Sequence, residues 1–234
     1  RHMDITYTVK LPTCILYLCT SAILVMTAAG LVLLIGIDGL GSNYIVEHPN
    51  HMPNIVQAMH RGAYTLTSRA TSRTDSSRNW GTHLYGHGAS SHCWLRSDRP
   101  PGCTGLASLF DAVPNSVAWT GGWPRMSAFN PHVVNLASDT DVLEHASAAL
   151  LSRSHELVFA VFQTLDEAAH NRESISAALR RVDGYVGELL SKVAPNDHVL
   201  IVSDHGHRVR SLFNFMWRPH YGASLREINT PMIL

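Results

Sequence analysis

The sequence predicts an α/β fold, a three-layer α/β/α sandwich with a mostly parallel central sheet. Three observations predict it. Short apolar, β-branched runs recur along the chain, amphipathic helical stretches separate them, and three of the runs end on or near an acid or an imidazole. The clearest run is Val199-Leu-Ile-Val-Ser-Asp-His-Gly206. A strand buried on both faces reads as such a continuous apolar run. In open parallel sheets, sites are built at the carboxyl ends of the strands. Asp204 and His205 stand at that point. A carboxylate beside a neutral imidazole suits zinc or a similar divalent ion. The alternative is an ordinary strand-to-loop turn in which Asp204 caps the next segment and His205 is incidental.

The first strand is Leu31-Val-Leu-Leu-Ile-Gly-Ile37, and it delivers Asp38-Gly39 to the sheet edge, with Gly39 allowing a sharp turn. Pro53 to Arg61 reads as a helix with Pro at its start and Ile55, Val56 and Met59 on one face. Ala70 to Gly86 is rich in hydroxyls, and Trp80, Leu84 and Tyr85 suggest a helix beginning near Ser77. A hydroxyl at a helix start usually caps it. The same place favours a nucleophile, because backbone N–H groups and the helix dipole there stabilise an anion.

Further along, Ser116 to Trp119 reads as a strand, Gly121 to Pro124 as a turn, and Val133-Val134 as an edge strand. Asp139 to Ser152 reads as a helix capped by Thr140 or Asp139. Leu157-Val-Phe-Ala-Val-Phe162 is a buried strand leading to Asp166 and His170. Four residues apart, these two can face one ion from a single helical turn. Ile175, Leu179, Val182, Val186, Leu189 and Leu190 mark an amphipathic helix that packs back on the sheet. After Gly206 comes an irregular stretch with Phe213, Phe215, Met216 and Trp217, then His220-Tyr-Gly222 and Ile228 to Leu234. The aromatic loop reads either as a pocket wall or as ordinary packing.

Composition sets limits. The 234 residues are 45% hydrophobic, enough for one sizeable domain. Eighteen acids balance 18 bases, so no nucleic-acid polymer is expected as a partner. Fifteen histidines raise the expectation of metal ligands. Leu11 to Ala29 is apolar or small throughout, after Lys10. It fits a secretory signal or a signal anchor, with a buried core helix as the alternative. Residues 1–30 are therefore read as a leader and 31–234 as the catalytic domain. The chain opens on Arg1 and closes on Pro-Met-Ile-Leu, so truncation at either end is an open reading. Either leader reading places the domain outside the cytosol, secreted or lumenal, with a membrane reachable through the N-terminal segment. There, Cys93 and Cys103 could form a local disulfide or remain thiols. Cys14 and Cys19 in the leader read as small hydrophobes.

Ile37-Asp38-Gly39, Ser76 to Asn79 with Trp80, Asp166-x-x-x-His170, Ser203-Asp204-His205-Gly206, and His220 ahead of Asn229-Thr230-Pro231 occur in that order. The series resembles the alkaline phosphatase superfamily in its type I phosphodiesterase/nucleotide pyrophosphatase branch, from about Leu31 to Leu234. Arg181-Val-Asp-Gly-Tyr185 is similar to that family's helix before the Asp-His strand. The resemblance implies two divalent ions, most simply zinc. Asp38, Ser76, Asp204 and His205 would hold one, and Asp166, His170 and His220 the other. Ser76 would be the nucleophile, and Asn79 the side-chain donor to a phosphoryl oxygen. The implied substrate is a small phosphodiester or nucleotide, cleaved through a phospho-serine intermediate in an in-line displacement that two metal ions clamp. Thr74 and Ser77 are competing hydroxyls. The sequence departs from the family pattern at Arg78, where proline is usual, and at Ala169 and Cys93, where glycine is usual. A membrane-associated phospho- or phosphoethanolamine transferase and a non-catalytic relative are the other readings.

Overall fold

The computed structural model describes residues 30–71, 73–88, 106–130, 132–208 and 219–234. The leader, the Cys93 and Cys103 pair and the aromatic stretch 213–217 lie outside them. Among the described residues no helix is long and apolar enough to cross a membrane.

Seven strands form one sheet: β1 (Val32–Ile37), β2 (Tyr64–Arg69), β3 (Ser116–Gly121), β4 (Val133–Leu136), β5 (Leu157–Phe162), β6 (His198–Val202) and β7 (Asn229–Ile233), in the order β2-β7-β6-β1-β5-β3-β4. The neighbours from β6 to β4 all pair in parallel, as the βα alternation predicts. β7 runs against both β6 and β2. The sheet is therefore mixed, with the antiparallel pairs confined to one side. Neither β2 nor β7 is predicted from the sequence. Tyr64–Arg69 is polar and partly exposed, and β7 contains Pro231, which has no N–H for a ladder. The β2–β7 register slips between Thr65 and Ser68, opposite Pro231, so the missing donor falls at a bulge.

Side chains alternate across the central strands and divide the core in two. Leu33, Ile35, Ile37, Val158, Ala160, Phe162 and Ile201 face one way. On that side pack α2 (Pro53–Arg61), α6 (Asp139–Ser152), α7 (Thr164–Asn171) and α8 (Ile175–Leu190). Val32, Leu34, Leu157, Phe159, Val161, Leu200 and Val202 face the other way, against α3 (Ser76–Tyr85), α4 (Leu109–Ala112) and α5 (Pro124–Phe129). Two short helices, α1 (Ser42–Glu47) and α9 (Leu225–Ile228), complete the set. The three-layer prediction holds.

Several helix starts are fixed by carboxylates from distant segments. Asp183 on α8 accepts from the Asn54 and Ile55 N–H groups at the start of α2, at 3.1 and 2.9 Å. The α6 cap is Ser138, one residue before Asp139 and two before Thr140, the predicted candidates. Asp139 turns instead to the start of α7, accepting from the Gln163 and Thr164 N–H groups. That contact sets the helix carrying Asp166 and His170 directly on the end of β5.

Gly36, inside β1, lies under the Trp80 ring: a Cβ there would sit 2.6 Å from Trp80 Cη2 and 3.2 Å from Phe159 Cε2. Overpacking of this kind costs about 1–3 kcal/mol. Gly36→Val is expected to lower the unfolding free energy by that amount, read as a lower urea midpoint; an unchanged midpoint would show that the Trp80 contact is loose.

Candidate functional site

The registers of β1, β5 and β6 align their carboxyl ends. Asp38 follows β1, Asp166 stands in the first turn of α7 after β5, and Asp204 and His205 follow β6. His170 lies one turn beyond Asp166. His220 arrives from a separate loop. α3 brings Ser76 to the same place. Asp75 is its N-cap, accepting from the Arg78 N–H, so the Ser76 hydroxyl is left for the site.

Asp38, Asp204 and His205 place ligand atoms within 4.8 Å of one another, and so do Asp166, His205 and His220. Ser76 Oγ is 3.1 Å from His205 Nε2 and 3.4 Å from Asp38 Oδ1. His170 Nε2 lies 2.9 Å from His220 Nε2 and 3.3 Å from Asp166 Oδ2. The structure thus gathers Asp38, Ser76, Asp166, His170, Asp204, His205 and His220, with His205 between the two groups. Of the three competing hydroxyls, Ser76 is the one that touches candidate ligands. Thr74 is tied into a separate network, and Ser77 Oγ is buried without a partner.

The donor set fits divalent metal ions. Asp38, Asp204 and His205 are fully buried, and Asp204 Oδ2 has no hydrogen-bond partner. His205 and His220 each turn Nδ1 toward a backbone carbonyl, of Gly206 at 3.2 Å and Thr74 at 2.5 Å. That arrangement fixes the tautomer and aims Nε2 inward, as it does in metal-binding histidines. Two facing Nε2 atoms and an orphaned carboxylate oxygen are what an oxygen- and nitrogen-liganded cation would satisfy.

The charges agree. Burial, followed by the Asp166 charge, pushes the Asp38 carboxyl up to about 8. Hydrogen bonds from Trp80 Nε1 and Gln163 Nε2 oppose that rise. Burial and the charges of Asp38 and Asp166 raise Asp204 well above the usual carboxylate range. Burial raises Asp166 too, but hydrogen bonds from His170 and His207 outweigh it and hold this carboxyl low. Burial lowers His205 far below its usual value and His220 to about 4.

The outer contacts contain residues absent from the predicted set. His207 is buried, with Nε2 2.9 Å from Asp166 Oδ1 and Nδ1 3.2 Å from the Tyr44 hydroxyl. Burial pushes the Tyr44 phenol up to about 12, so it stays protonated and donates to Nδ1. The His207 Nε2–H then donates to Asp166. The signal was present as a second histidine two residues after His205. Gly39, at φ +80°, leaves His207 its room: a Cβ there would meet the ring at 2.4 Å. Glu227 ties another corner. It accepts from the Gly222 and Ser224 N–H groups and from Thr74 Oγ1, and pairs with Arg208. Thr74 in turn accepts from the Tyr221 N–H and from His220 Nδ1. The turn before Ser76 and the loop carrying His220 are therefore tied to each other.

Asn79 is placed differently from the other predicted residues. Its Oδ1 accepts from the Thr71 N–H and hydroxyl at 2.7 and 2.8 Å, and its Nδ2 donates to the Asp75 carbonyl at 3.1 Å. Both ends of the carboxamide hold the turn before Ser76, and the side chain is buried rather than set in the cavity wall. That cavity, about 450 Å³, opens over Ser76, Ser77, Asp166, His170 and His220, with Trp123, Arg125, Glu167 and Tyr221 among its walls.

Comparison with known proteins agrees with this architecture. The family described as the Metalloenzyme superfamily matches residues 128–211, the part that carries Asp166, His170, Asp204 and His205. A solved 2-O GAG sulfatase is similar at 13% identity and a TM-score of 0.66, over 88% of this chain and 64% of the other. The fold is alkaline phosphatase-like. A protein in the alkaline phosphatase superfamily from Vibrio parahaemolyticus is similar at 14% identity and a TM-score of 0.63, over 88% of this chain and 60% of that one. The chain thus spans less than two thirds of the length of either structure. No curated protein matches the sequence.

Two predictions follow from the charges and outer contacts. Asp38 titrates near 8 when folded against 3.8 ordinarily, so without metal its contribution to stability is full below about pH 4 and is lost as pH rises through 8. His220 titrates near 4 against 6.5, so its contribution is full above 6.5 and lost as pH falls toward 4. A cation offsets the carboxylate repulsion and requires deprotonated ligands. The rise in Tm on adding zinc is expected to be larger at pH 8 than at pH 5, measured by thermal melts against a chelator control; the reverse order would contradict this ligand set. His207→Ala is expected to weaken zinc binding by about 10–100-fold in competition with a chelating dye. Undiminished affinity would reduce His207 to a packing residue.

Proposed function

We propose that the chain is a metal-dependent hydrolase that cleaves phosphodiester or pyrophosphate bonds through attack by Ser76. The observation that carries this reading is the position of Ser76 Oγ. It lies at a helix start, 3.1 Å from His205 Nε2 and 3.4 Å from Asp38 Oδ1, against a group of metal-type ligands whose His205 is shared with the second group. The family match and the fold likeness support a metal-dependent enzyme.

Asp38, Ser76, Asp204 and His205 would hold one ion, and Asp166, His170 and His220 the other. When bound, divalent ions neutralise the carboxylates, favour the Ser76 alkoxide and stabilise a leaving oxygen. The chain's own groups do the rest. Asp75 takes the capping task and so leaves the Ser76 hydroxyl available. The Ser76 and Ser77 N–H groups, at the start of α3 beside the cavity and not used by the Asp75 cap, would favour the oxygens of an anion there. Trp80 and Gln163 fix Asp38, and His207 fixes Asp166, so the ligands do not reorganise as charge develops. Ser76 Oγ attacks phosphorus in line, the bond to the leaving oxygen breaks, and water later releases the phosphomonoester and restores the Ser76 hydroxyl. Asn79 supports this geometry by holding the turn ahead of the nucleophile. We also propose zinc as the ion and, from Leu11 to Ala29, a place outside the cytosol.

A sulfate ester is the second reading, favoured by the sulfatase among the similar structures. The full chain, supplied with zinc, would be assayed on a p-nitrophenyl phosphodiester, the phosphomonoester and the sulfate, as wild type and Ser76→Ala. Diester turnover is expected to be the fastest and to fall at least about a thousandfold in the variant, with zinc still bound. Faster turnover of the sulfate, or full activity in Ser76→Ala, would overturn the proposal.

A further inference from the structure

One cation in the cavity has no assigned task. Arg125 is the one Lys or Arg among the described residues lining the cavity over Ser76, Asp166 and His220. It is exposed, and among the described residues it makes no ion pair. Other arginines are engaged: Arg153 with Asp197, Arg208 with Glu227, Arg226 with Glu47.

The turn that precedes it is well fixed. Arg125 stands at the start of α5, directly after the Gly121-Gly122-Trp123 turn. The Gly122 N–H donates to the Leu136 carbonyl at 2.8 Å. Gly121 packs so closely on Asp139 that a Cβ would lie 2.2 Å from Oδ1. The same Asp139 carboxylate holds the start of α7. One residue thereby ties the Arg125 turn to the helix that carries Asp166 and His170. Two carboxylates of this wall, Asp166 and Glu167, lie on α7. Glu167 lies against Gly122, near the charges of Asp139, Asp166 and Glu173. Acidic groups are thus concentrated on the α7 side, and the α5 side offers a guanidinium. Such a group stays charged at all ordinary pH and grips oxyanions through a planar fork of donors.

We propose that Arg125 binds a second oxyanion of the substrate, a carboxylate or phosphate carried beyond the reacting centre. The substrate class is then a phosphodiester or pyrophosphate with a further acidic group, and Arg125 sets specificity rather than taking part in bond breaking. This rests on the hydrolase reading of the same cavity.

The test uses the zinc-loaded full chain and two substrates that differ in one charge: p-nitrophenyl ethyl phosphate and p-nitrophenyl 2-carboxyethyl phosphate. The wild type is expected to favour the carboxylate-bearing diester about tenfold in kcat/KM, through KM, as befits one charge-assisted contact. Arg125→Ala should bring the ratio close to one, and Arg125→Lys should keep part of it. A ratio near one in the wild type, or a ratio that Arg125→Ala leaves intact, overturns the proposal. A second arm measures binding by calorimetry, with 3-phosphonopropionate against propylphosphonate. The carboxylate is expected to tighten binding in the wild type and not in Arg125→Ala; equal binding in both proteins overturns the proposal. If neither diester turns over, the hydrolase reading fails, and the binding arm alone decides on Arg125.

Discussion

Three buried carboxylates meeting at one edge of the sheet are the constraint around which the rest is arranged. Asp38, Asp166 and Asp204 converge without a lysine or arginine among their described contacts, and burial raises two of them far above their usual range. Such a cluster is costly unless positive charge balances it. The surrounding histidines supply only part of that balance, because burial keeps His205 and His220 neutral at ordinary pH. A pair of divalent cations removes the conflict.

The scaffold keeps this cluster in place through contacts that lie outside it. Asp139 joins the starts of two helices, and Asp183 fixes a third from the neighbouring helix on the same face of the sheet. Trp80 reaches through the core to hold Asp38, with its ring over Gly36. Tyr44 and His207 hold Asp166 from behind. Glu227 and Thr74 couple the nucleophile's turn to the loop of His220. Each of these buried polar groups is satisfied by a partner far away in sequence, and a site fixed in this way needs little rearrangement when an anion arrives.

The same logic separates the roles of neighbouring residues on α3. Asp75 caps, Ser76 faces the ligands, Ser77 is buried, and Asn79 braces the turn behind. Four polar residues within one turn are thus divided by the direction in which each side chain leaves the helix. Residue type alone left Ser76, Ser77 and Asn79 all as candidates for the site.

The sequence by itself determined the layers and the edge on which the site lies. β1, β5 and β6 were legible because strands buried on both faces must be almost wholly apolar, so the acid or imidazole that follows each one stands out. The predicted ligands Asp38, Asp166, His170, Asp204, His205 and His220 are brought together, because parallel strands in register bring their carboxyl ends to one place. Only the tertiary structure decided the rest. β2 and β7 are polar or broken by Pro231, and their pairing is a long-range antiparallel contact without a local signal. His207 sits in the same short stretch as His205, yet its role depends on Tyr44 and Asp166, which are far away in sequence. Asn79 had the chemistry of a phosphate donor, but Thr71 and Asp75 engage both ends of its side chain. Periodicity records which face of an element is buried. Which polar group meets which is settled only when the chain has closed.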